Sequence, residues 1–422
     1  MPKRIAWLVL LAVLSAVCCC GPEKDAVVFS VGGAPAELAF WEELIRDFEK
    51  QSGIPVELLR QPTDTDQRRQ GLVVALSASK SNPDVFLLDV AWLGLFTASE
   101  WLEPLGSDID QSPFFARVLQ LVDIHQGKLM ALPVYLDGGL LYYRKDLFEQ
   151  FDLPGPPRTW EQLLSYARTV QSKMRKTNPD FYGFVWQGAQ YEGLICNFLE
   201  FAGSNGGFIN QGDRICLNTL KNRRALAFMH DLIRTHGISP PSTYTEMKEE
   251  ETRTYFQSGN ALFERNWPYA WALHQGPESG VRGKIGVAPL PALKDGESVS
   301  TLGGWHIGIS KFSDVKPRAL KLVEFITSYE TQKKLLLHLG WNPGRKDLYS
   351  DPEVLEVAPH LRQLRAVFQN ARPRPILPYY TQISEIVQPR INGVLAGKYA
   401  PEEALAAAEQ EIATLLERYD TK

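Results

Sequence analysis

The sequence lacks the features that mark nucleic-acid-binding proteins, metalloproteins and common hydrolases. Lys and Arg number 45 against 49 Asp and Glu, so the formal net charge is −4 and no basic surface for nucleic acid is expected. The seven His are scattered without an HExxH motif, and no cysteine pair has zinc-site spacing, so we expect neither a metal nor another cofactor. A Gly-x-Ser-x-Gly nucleophile elbow is also missing.

Long apolar runs are scarce, and the one that stands out lies at the N-terminus. Two basic residues precede the apolar run 5–17, which ends at three consecutive cysteines. This run is too short for a membrane-spanning helix, which needs about 20 apolar residues, and it is typical of a secretory signal. Because cysteines follow it directly, it resembles a bacterial lipoprotein signal. We therefore predict a signal peptide over 1–20 and a lipid anchor on Cys20 or Cys19. An ordinary signal peptide with incidental cysteines is the alternative.

Cysteine is otherwise limited to Cys196 and Cys216. An exported chain permits a disulfide between them. Such a bond would close a loop of about twenty residues and stabilise the fold by about 3 kcal/mol in the chain-entropy model. Two separate buried thiols are the alternative.

What the chain has in quantity is length and alternating strand and helix patterns. Its 422 residues exceed one compact core, so two lobes are expected. The run Asp84–Asp89 is almost wholly apolar between its two acids, which is typical of a buried parallel strand. Ligands of open α/β sheets bind beyond the carboxyl ends of strands, so Asp89 is placed for binding. Capping of the next helix is the alternative role for Asp89.

Aromatic residues concentrate in the stretch Phe263–Trp271, which holds two Trp and a Tyr beside Glu, Arg and Asn. Pro268 cannot continue a central strand, so the chain must turn here and present its aromatics at the end of an element. Apolar ring faces beside polar groups suit a sugar, which is apolar on its ring faces and polar at its edges. An aromatic corner of the core explains the same residues.

Other candidate binding residues stand at glycine-rich or polar turns. Trp305 follows Gly304 in a Gly-Gly pair that would let a ligand approach the backbone. Tyr191 is a candidate cleft residue, with a helix start or the core as its alternative. Arg345 is a candidate sugar contact or an anchor for the preceding turn. The acidic run Glu249–Glu251 is expected to be a solvated helix face.

Several segments together resemble one family. They are Phe40-Trp41-Glu42, Leu141–Leu147, Trp186–Gly193, Glu264–Trp271, Leu302–Ser310, Gly340–Arg345 and Pro373–Tyr380. In this order they are similar to the extracellular solute-binding proteins of ABC importers, family 1, whose members bind sugars. The resemblance to this family extends over essentially the whole mature chain, and the last five of these segments look like the trehalose/maltose-binding branch.

The resemblance implies an α/β, two-lobe periplasmic-binding-protein fold of type II. Three hinge crossings join the lobes, and the ligand lies in the cleft between them. We expect these crossings at about 135–137, 265–267 and 310–313. The N-terminal lobe would then comprise 21–136 and 267–313, and the C-terminal lobe 137–266 and 314–422.

The resemblance also implies roles for particular residues. By motif position, the carboxylates that bind sugar hydroxyls match Glu37, Asp89 and Asp137. The stacking aromatics match Trp267, Trp305 and Tyr379, and Arg374 matches a basic residue of the disaccharide-binding branch. Glu264 and Arg265, at the expected hinge, are interpreted as a structural pair.

The predicted function is binding without catalysis. The protein would be a monomeric receptor in the periplasm or at the outer face of the cytoplasmic membrane. It would pass a disaccharide, trehalose or maltose first, to the permease subunits of an ABC transporter, and would touch the membrane only through a lipid anchor. A monosaccharide, a longer oligosaccharide or a polyol is the alternative ligand. A secreted glycoside hydrolase, with two carboxylates about 5–9.5 Å apart, is the alternative function.

Overall fold

The computed structural model of the protein describes residues 26–211, 214–293 and 296–420. The predicted signal peptide, with Cys19 and Cys20, lies outside the described residues. Within these ranges, no helix is both long enough and apolar enough to cross a membrane.

The described chain alternates strands and helices. The strands are β1 Val27–Gly32, β2 Val56–Gln61, β3 Val85–Asp89, β4 Leu102–Glu103, β5 Ile124–His125, β6 Lys128–Leu129, β7 Leu132–Gly138, β8 Leu140–Arg144, β9 Tyr182–Val185, β10 Asn210–Gln211, β11 Arg214–Ile215, β12 Ala261–Asn266, β13 Ile285–Ala288, β14 Thr301–Ser310 and β15 Arg372–Pro373. The helices are α1 Pro35–Ser52, α2 Thr65–Ser77, α3 Leu93–Ala98, α4 Ala116–Val118, α5 Lys145–Gln150, α6 Trp160–Met174, α7 Glu192–Ser204, α8 Leu220–Arg234, α9 Ser242–Thr245, α10 Glu249–Gln257, α11 Ala270–His274, α12 Lys316–Ile326, α13 Tyr329–Leu339, α14 Pro352–Val357, α15 Leu361–Asn370, α16 Tyr380–Leu395 and α17 Pro401–Asp420. Short 3₁₀ turns cover Val90–Trp92 and Asp347–Ser350, and a π-helical turn covers Leu119–Asp123.

The first sheet has the strand order β15–β14–β3–β1–β2, and β4 and β7 also pair with β14. β1 runs parallel to β2 and β3, whereas β14 is antiparallel to β3 and β7. β1 is buried along its whole length because helices cover it. α1 contributes a buried stripe at helical spacing, which comprises Phe40, Trp41, Leu44, Ile45 and Phe48.

The second sheet has the order β13–β8–β12–β9. β12 is antiparallel to β8 and parallel to β9, so this sheet is mixed. Its apolar side chains, among them Tyr142, Phe184 and Phe263, are fully buried. Two sheets with covering helices form two α/β lobes, as predicted, and we call them the first lobe and the second lobe.

Strand pairing and packing place the three crossings between the lobes. The first crossing is Gly139, between β7 and β8, close to the predicted position. The second crossing lies between β13 and β14, because β13 pairs with β8 in the second sheet and β14 belongs to the first. The third crossing is 371–379, where the chain leaves α15, which packs on β7, and enters α16, which packs on α7 and α8.

The expected lobe division therefore needs correction in two segments. β13 belongs to the second lobe, since Ile285 is buried there and pairs with Arg144. The segment after 313 begins in the first lobe. Its helices α12 and α13 bury Leu322 and Leu335 in one cluster with Phe29 and Trp41.

The predicted disulfide is not formed, since Cys196 and Cys216 are both thiols. Cys196 lies in the second turn of α7. Cys216 directly follows strand β11, beyond the C-terminal end of α7. Its N–H donates to the carbonyl of Ile209 at 2.7 Å. Eight residues of helix separate Cys196 from Ser204, a rise of about 12 Å, whereas bonded cysteines have Cα atoms within about 7 Å.

Candidate functional site

Three neighbouring strands of the first sheet bring the predicted residues together. β14 lies between β3 and β7, and Trp305 is in register with Asp89 on one side and with Tyr135 on the other. Gly303 is in register with Asp137. An acidic residue from each flanking strand therefore lies beside the Gly-Gly-Trp segment of β14.

Asp89 and Arg374 form an ion pair at the end of β3. Arg374 Nη2 lies 2.9 Å from Asp89 Oδ1, and Arg374 Nη1 lies 3.1 Å from Glu192 Oε1. Arg374 belongs to the third crossing and Glu192 to the first turn of α7, so the guanidinium bridges the two lobes. Asp89 Oδ1 also accepts from the Ala91 N–H at 2.8 Å. The alternative capping role of Asp89 is thus observed, and its role in binding a ligand stays a prediction.

Glu192 is held by more than Arg374. The hydroxyl of Tyr380 donates to Glu192 Oε1 at 2.5 Å, and the hydroxyl of Ser384 donates to Glu192 Oε2. Both hydroxyls come from α16, so this carboxylate also ties α7 to α16.

Asp137 has a different environment. Among the described residues no donor is hydrogen-bonded to its carboxylate, which is half-buried on β7. Burial and the nearby Asp89 carboxylate raise the pKa of Asp137 to about 7, although Arg265 acts in the opposite direction. This carboxyl group is thus available for hydroxyl donors of a ligand.

Trp267 lies between an arginine and the Gly303 backbone. The Arg265 guanidinium is 4.0 Å from the centroid of the indole ring, and Trp267 Nε1 donates to Glu249 Oε1 at 3.2 Å. A Cβ added to Gly303 would lie 3.2 Å from the ring edge, so an alanine there would require the indole to shift by a few tenths of an ångström. The indole is therefore fixed by three neighbours and remains half-exposed.

The expectation of a solvated face at Glu249–Glu251 is wrong for Glu249, whereas Glu250 and Glu251 are exposed. Glu249 accepts from Trp267, and Glu250 Oε1 accepts from the Tyr269 hydroxyl at 2.7 Å. α10 precedes β12 in the chain and packs against it, so its first turn meets the residues that follow that strand.

Trp305 is fixed by an aromatic and a cationic neighbour. Its ring meets Trp92 edge-on, with centroids 5.3 Å apart, and the Arg68 guanidinium lies 4.7 Å from the ring centroid. Gly304 has φ of +122°, and a Cβ there would lie 2.3 Å from the Tyr135 carbonyl oxygen. Glycine at 304 is thus required by strand pairing, whatever a ligand demands.

Glu37 lies in the first turn of α1. Its Oε2 accepts from the Ala34 N–H at 2.7 Å. Burial raises the pKa of Glu37, the Ala34 hydrogen bond and Arg68 oppose this shift, and Glu250 of the second lobe adds to it. Glu37 therefore belongs to the same electrostatic environment as Arg68 and the first turn of α10.

The remaining candidates are Tyr379 and Tyr191, which directly precede helices, and Arg345, which pairs with Asp347. Tyr379 is half-buried and directly precedes α16 in the third crossing. Tyr191 directly precedes α7, and burial, with Glu249 nearby, raises the pKa of its hydroxyl. Arg345 does not contact the cluster that Asp89, Asp137, Trp267, Trp305 and Arg374 form. It pairs with Asp347 at 2.7 Å and donates to the Thr327 carbonyl, which is the anchoring alternative.

The predicted pairing of Glu264 with Arg265 is also corrected. Successive strand residues face opposite sides of the sheet, so the two side chains of β12 cannot meet. Glu264 Oε2 lies 2.7 Å from His274 Nε2, whereas Arg265 makes two hydrogen bonds to Glu200.

Three charged residues of the cluster were not predicted as site residues from the sequence: Arg68, Glu200 and Glu249. Arg68 is one of two adjacent arginines in α2, and the local pattern does not distinguish them. Glu200 sits within the apolar run of α7, and a carboxylate buried in such a helix is a signal that requires a partner.

The cluster can bind a neutral polyhydroxyl molecule through carboxylate acceptors, a guanidinium and two indoles. Within the described ranges, no group of three or more His, Cys, Asp or Glu is arranged to hold a metal ion. His306, beside Trp305, is buried, and its Nδ1 lies 2.5 Å from Asp123 Oδ1.

Comparison with known proteins agrees with this architecture. Residues 32–333 match the family described as bacterial extracellular solute-binding protein. A probable ABC transporter-binding protein of Deinococcus radiodurans is 37% identical over 373 residues, which are 87% of this chain and 88% of that protein.

Two solved structures extend the comparison to three dimensions. Maltose-bound MalE3 of T. maritima has a TM-score of 0.86 and 37% identity, and the match covers 92% of this chain and 99% of that one. An ABC transporter solute-binding protein of Thermotoga lettingae, bound with alpha-D-tagatose, has a TM-score of 0.81 and 28% identity, with coverage of 93% and 100%. The chain belongs to the bacterial extracellular solute-binding protein family.

Proposed function

We propose that this protein is the sugar receptor of an ABC importer and binds a disaccharide of the maltose or trehalose type. The observation that carries the proposal is the convergence of Asp89, Asp137, Trp267 and Trp305 on one short segment of β14. Carboxylates accept hydrogen bonds from sugar hydroxyls, and indoles cover the C–H faces of a pyranose.

The size of the ligand is supported by the similar protein from T. maritima, whose structure contains maltose. Two indoles, each fixed by an arginine, suit a ligand with two rings. A monosaccharide is the second candidate, because the 28% identical relative is bound with tagatose.

The mechanism needs no covalent step. A ligand that contacts both lobes stabilises the arrangement in which they approach, by its differential affinity for that arrangement. The permease subunits would then recognise that arrangement. An exported monomer, held at the membrane by a lipid on Cys20 or Cys19, fits this role.

Calorimetric titration with maltose, trehalose, glucose, tagatose and mannitol tests the ligand class. We expect a disaccharide to bind at least tenfold more tightly than its component monosaccharide, because it reaches both indoles. Tighter binding of tagatose or mannitol would replace the disaccharide by the smaller ligand. Binding of none of the five would contradict the sugar receptor itself.

A separate assay addresses catalysis. Incubation with maltose or trehalose, followed by measurement of free glucose, is expected to show no release above the sugar-only control. Steady glucose release at an enzymatic rate would replace the receptor by a glycoside hydrolase.

A further inference from the structure

A buried ion pair lies directly behind the Trp267 indole. Arg265 and Glu200 are 1% and 2% exposed, and they are joined by two hydrogen bonds: Nε to Oε2 at 2.7 Å and Nη2 to Oε1 at 2.5 Å. The Arg265 guanidinium also lies 4.0 Å from the centroid of the Trp267 ring. One planar cation therefore contacts both an ion-pair partner and the indole.

The same ion pair touches two of the three crossings. Glu200 Oε1 accepts from the backbone N–H of Thr301, the first residue after the second crossing, at 3.1 Å. A Cβ added to Gly139, the first crossing, would lie 2.0 Å from Glu200 Oε1 and 2.6 Å from Arg265 Nη2. The two crossings are also joined directly, because the Ser300 hydroxyl donates to the Gly139 carbonyl at 2.7 Å.

Stability alone does not account for a pair of this kind. Removing two charges from water costs several kcal/mol, and apolar residues of similar volume often stabilise a fold as well as a buried pair does. What an apolar pair lacks is a fixed direction. The two-pronged guanidinium sets the orientation of the indole that it contacts. Its position depends on the backbone at Thr301, through Glu200, and on the backbone at Gly139, which lies against the ion pair.

We propose that Arg265, held by Glu200, is a positioning residue that couples sugar stacking on Trp267 to the backbone of the first and second crossings. This role rests on the proposed sugar-binding function. Arg265 acts from behind the indole, and Glu200 transmits its position to Thr301. A sugar that stacks on the free face of Trp267 thereby changes the stability of the backbone arrangement at the first and second crossings.

A double-mutant cycle tests the coupling. Maltose affinity is measured for the wild type, Arg265→Lys, Trp267→Leu and the double variant, by calorimetry and, for weak binders, by NMR titration. Lys keeps the charge but lacks the planar fork, so Arg265→Lys is expected to weaken binding about tenfold. In the Trp267→Leu background the same change is expected to matter less than twofold.

A glycine pair provides a second arm that leaves both charges and the indole in place. Gly139→Ala pushes a methyl group against the ion pair from the first crossing, whereas Gly71→Ala in α2 meets nothing within 4 Å. We expect Gly139→Ala to weaken maltose binding about fivefold or more and Gly71→Ala to leave it unchanged. This arm decides the question if Arg265→Lys does not fold, as judged by circular dichroism.

Two results would overturn the coupling. One is an equal loss of affinity from Arg265→Lys with and without the Trp267 indole. The other is a Gly139→Ala variant that is folded and binds as tightly as Gly71→Ala. Failure of the wild type to bind any sugar would instead remove the proposed function on which the coupling rests.

Discussion

Arg374 Nη2 lies 2.9 Å from Asp89 Oδ1, and this contact joins the third crossing to the end of a central strand in the first lobe. The other end of the same guanidinium reaches Glu192 at the start of α7 in the second lobe. A planar, two-pronged cation is needed to reach both carboxylates at once.

Arg374→Lys is therefore expected to weaken binding of the preferred sugar about tenfold, because a single ammonium cannot hold both carboxylates in place. Arg345→Lys is the matched control, since Arg345 pairs with Asp347 away from the cluster. Calorimetry should show a change of less than twofold for the control. Equal losses in the two variants would contradict the assignment of Arg374 to the site.

Asp137 predicts a pH dependence of stability. Its pKa is raised from 3.8 in the unfolded chain to about 7 in the fold. Folding thus favours the protonated carboxyl, and its contribution to the free energy of unfolding is full below about pH 4 and is lost as pH rises to about 7. Urea titrations of wild type and Asp137→Asn at several pH values should diverge by about 1–2 kcal/mol across this window. Parallel curves would show that the folded pKa of Asp137 is ordinary.

The same group predicts the pH dependence of binding. A carboxylate accepts from hydroxyls when ionised, so affinity for sugar is expected to rise between about pH 6 and pH 8 in the wild type. Asp137→Asn should bind more weakly and with little change over this range. Calorimetric sugar titrations of both proteins, in buffers at about pH 6 and about pH 8, check the affinity and its pH dependence.

His360 predicts sensitivity to acid. Both of its ring nitrogens are buried without a hydrogen-bond partner in the described structure, and its ring lies tilted by 33° against Trp271, with centroids 4.8 Å apart. Burial lowers the pKa of His360 to about 3. Below about pH 6.5 the imidazole is therefore protonated in the unfolded chain but stays neutral in the folded protein. Stability is lost progressively as pH falls.

His360→Phe should therefore flatten the fall in unfolding free energy between about pH 6 and pH 4 by about 2 kcal/mol. The control is His125→Gln, at an exposed position in β5. Its pH profile is expected to follow the wild type. A His360→Phe profile parallel to the wild type would mean that this imidazole is protonated within the fold.

Cys196 and Cys216 are expected to be two thiols that are not joined by a disulfide. Burial raises the pKa of the Cys196 thiol, so a thiol reagent at neutral pH should reach it only after unfolding. Protein covering 26–422 should titrate two thiols in denaturant without reductant, and dithiothreitol should leave the melting temperature unchanged. Finding no thiols would restore the disulfide.

The sequence was informative where local pattern and global fold agree. Asp89 ends an apolar run, and a buried parallel strand places such a residue at the ligand-binding edge of a sheet. Trp305 lies in the first sheet beside that residue because a long apolar strand follows the Gly-Gly pair. The type of fold followed from the resemblance to the solute-binding family, which rests on the order of several segments along the chain.

Long-range pairing explains what the sequence could not provide. β13 has four residues and no distinctive pattern, and only its pairing with β8 moves the second crossing beyond 288. The cationic support of Trp305 comes from Arg68 on a distant helix. Glu249 lies in an acidic run typical of solvated helices, yet its partner is an indole 18 residues further along the chain.

The three crossings are tied side by side. Ser300 donates through its hydroxyl to Gly139, and its carbonyl accepts from the Arg372 N–H at 3.0 Å. Three separate flexible chains would let one lobe twist, slide and bend relative to the other. Hydrogen bonds between neighbouring segments oppose twisting and sliding, so they favour rotation of the lobes about an axis through these segments.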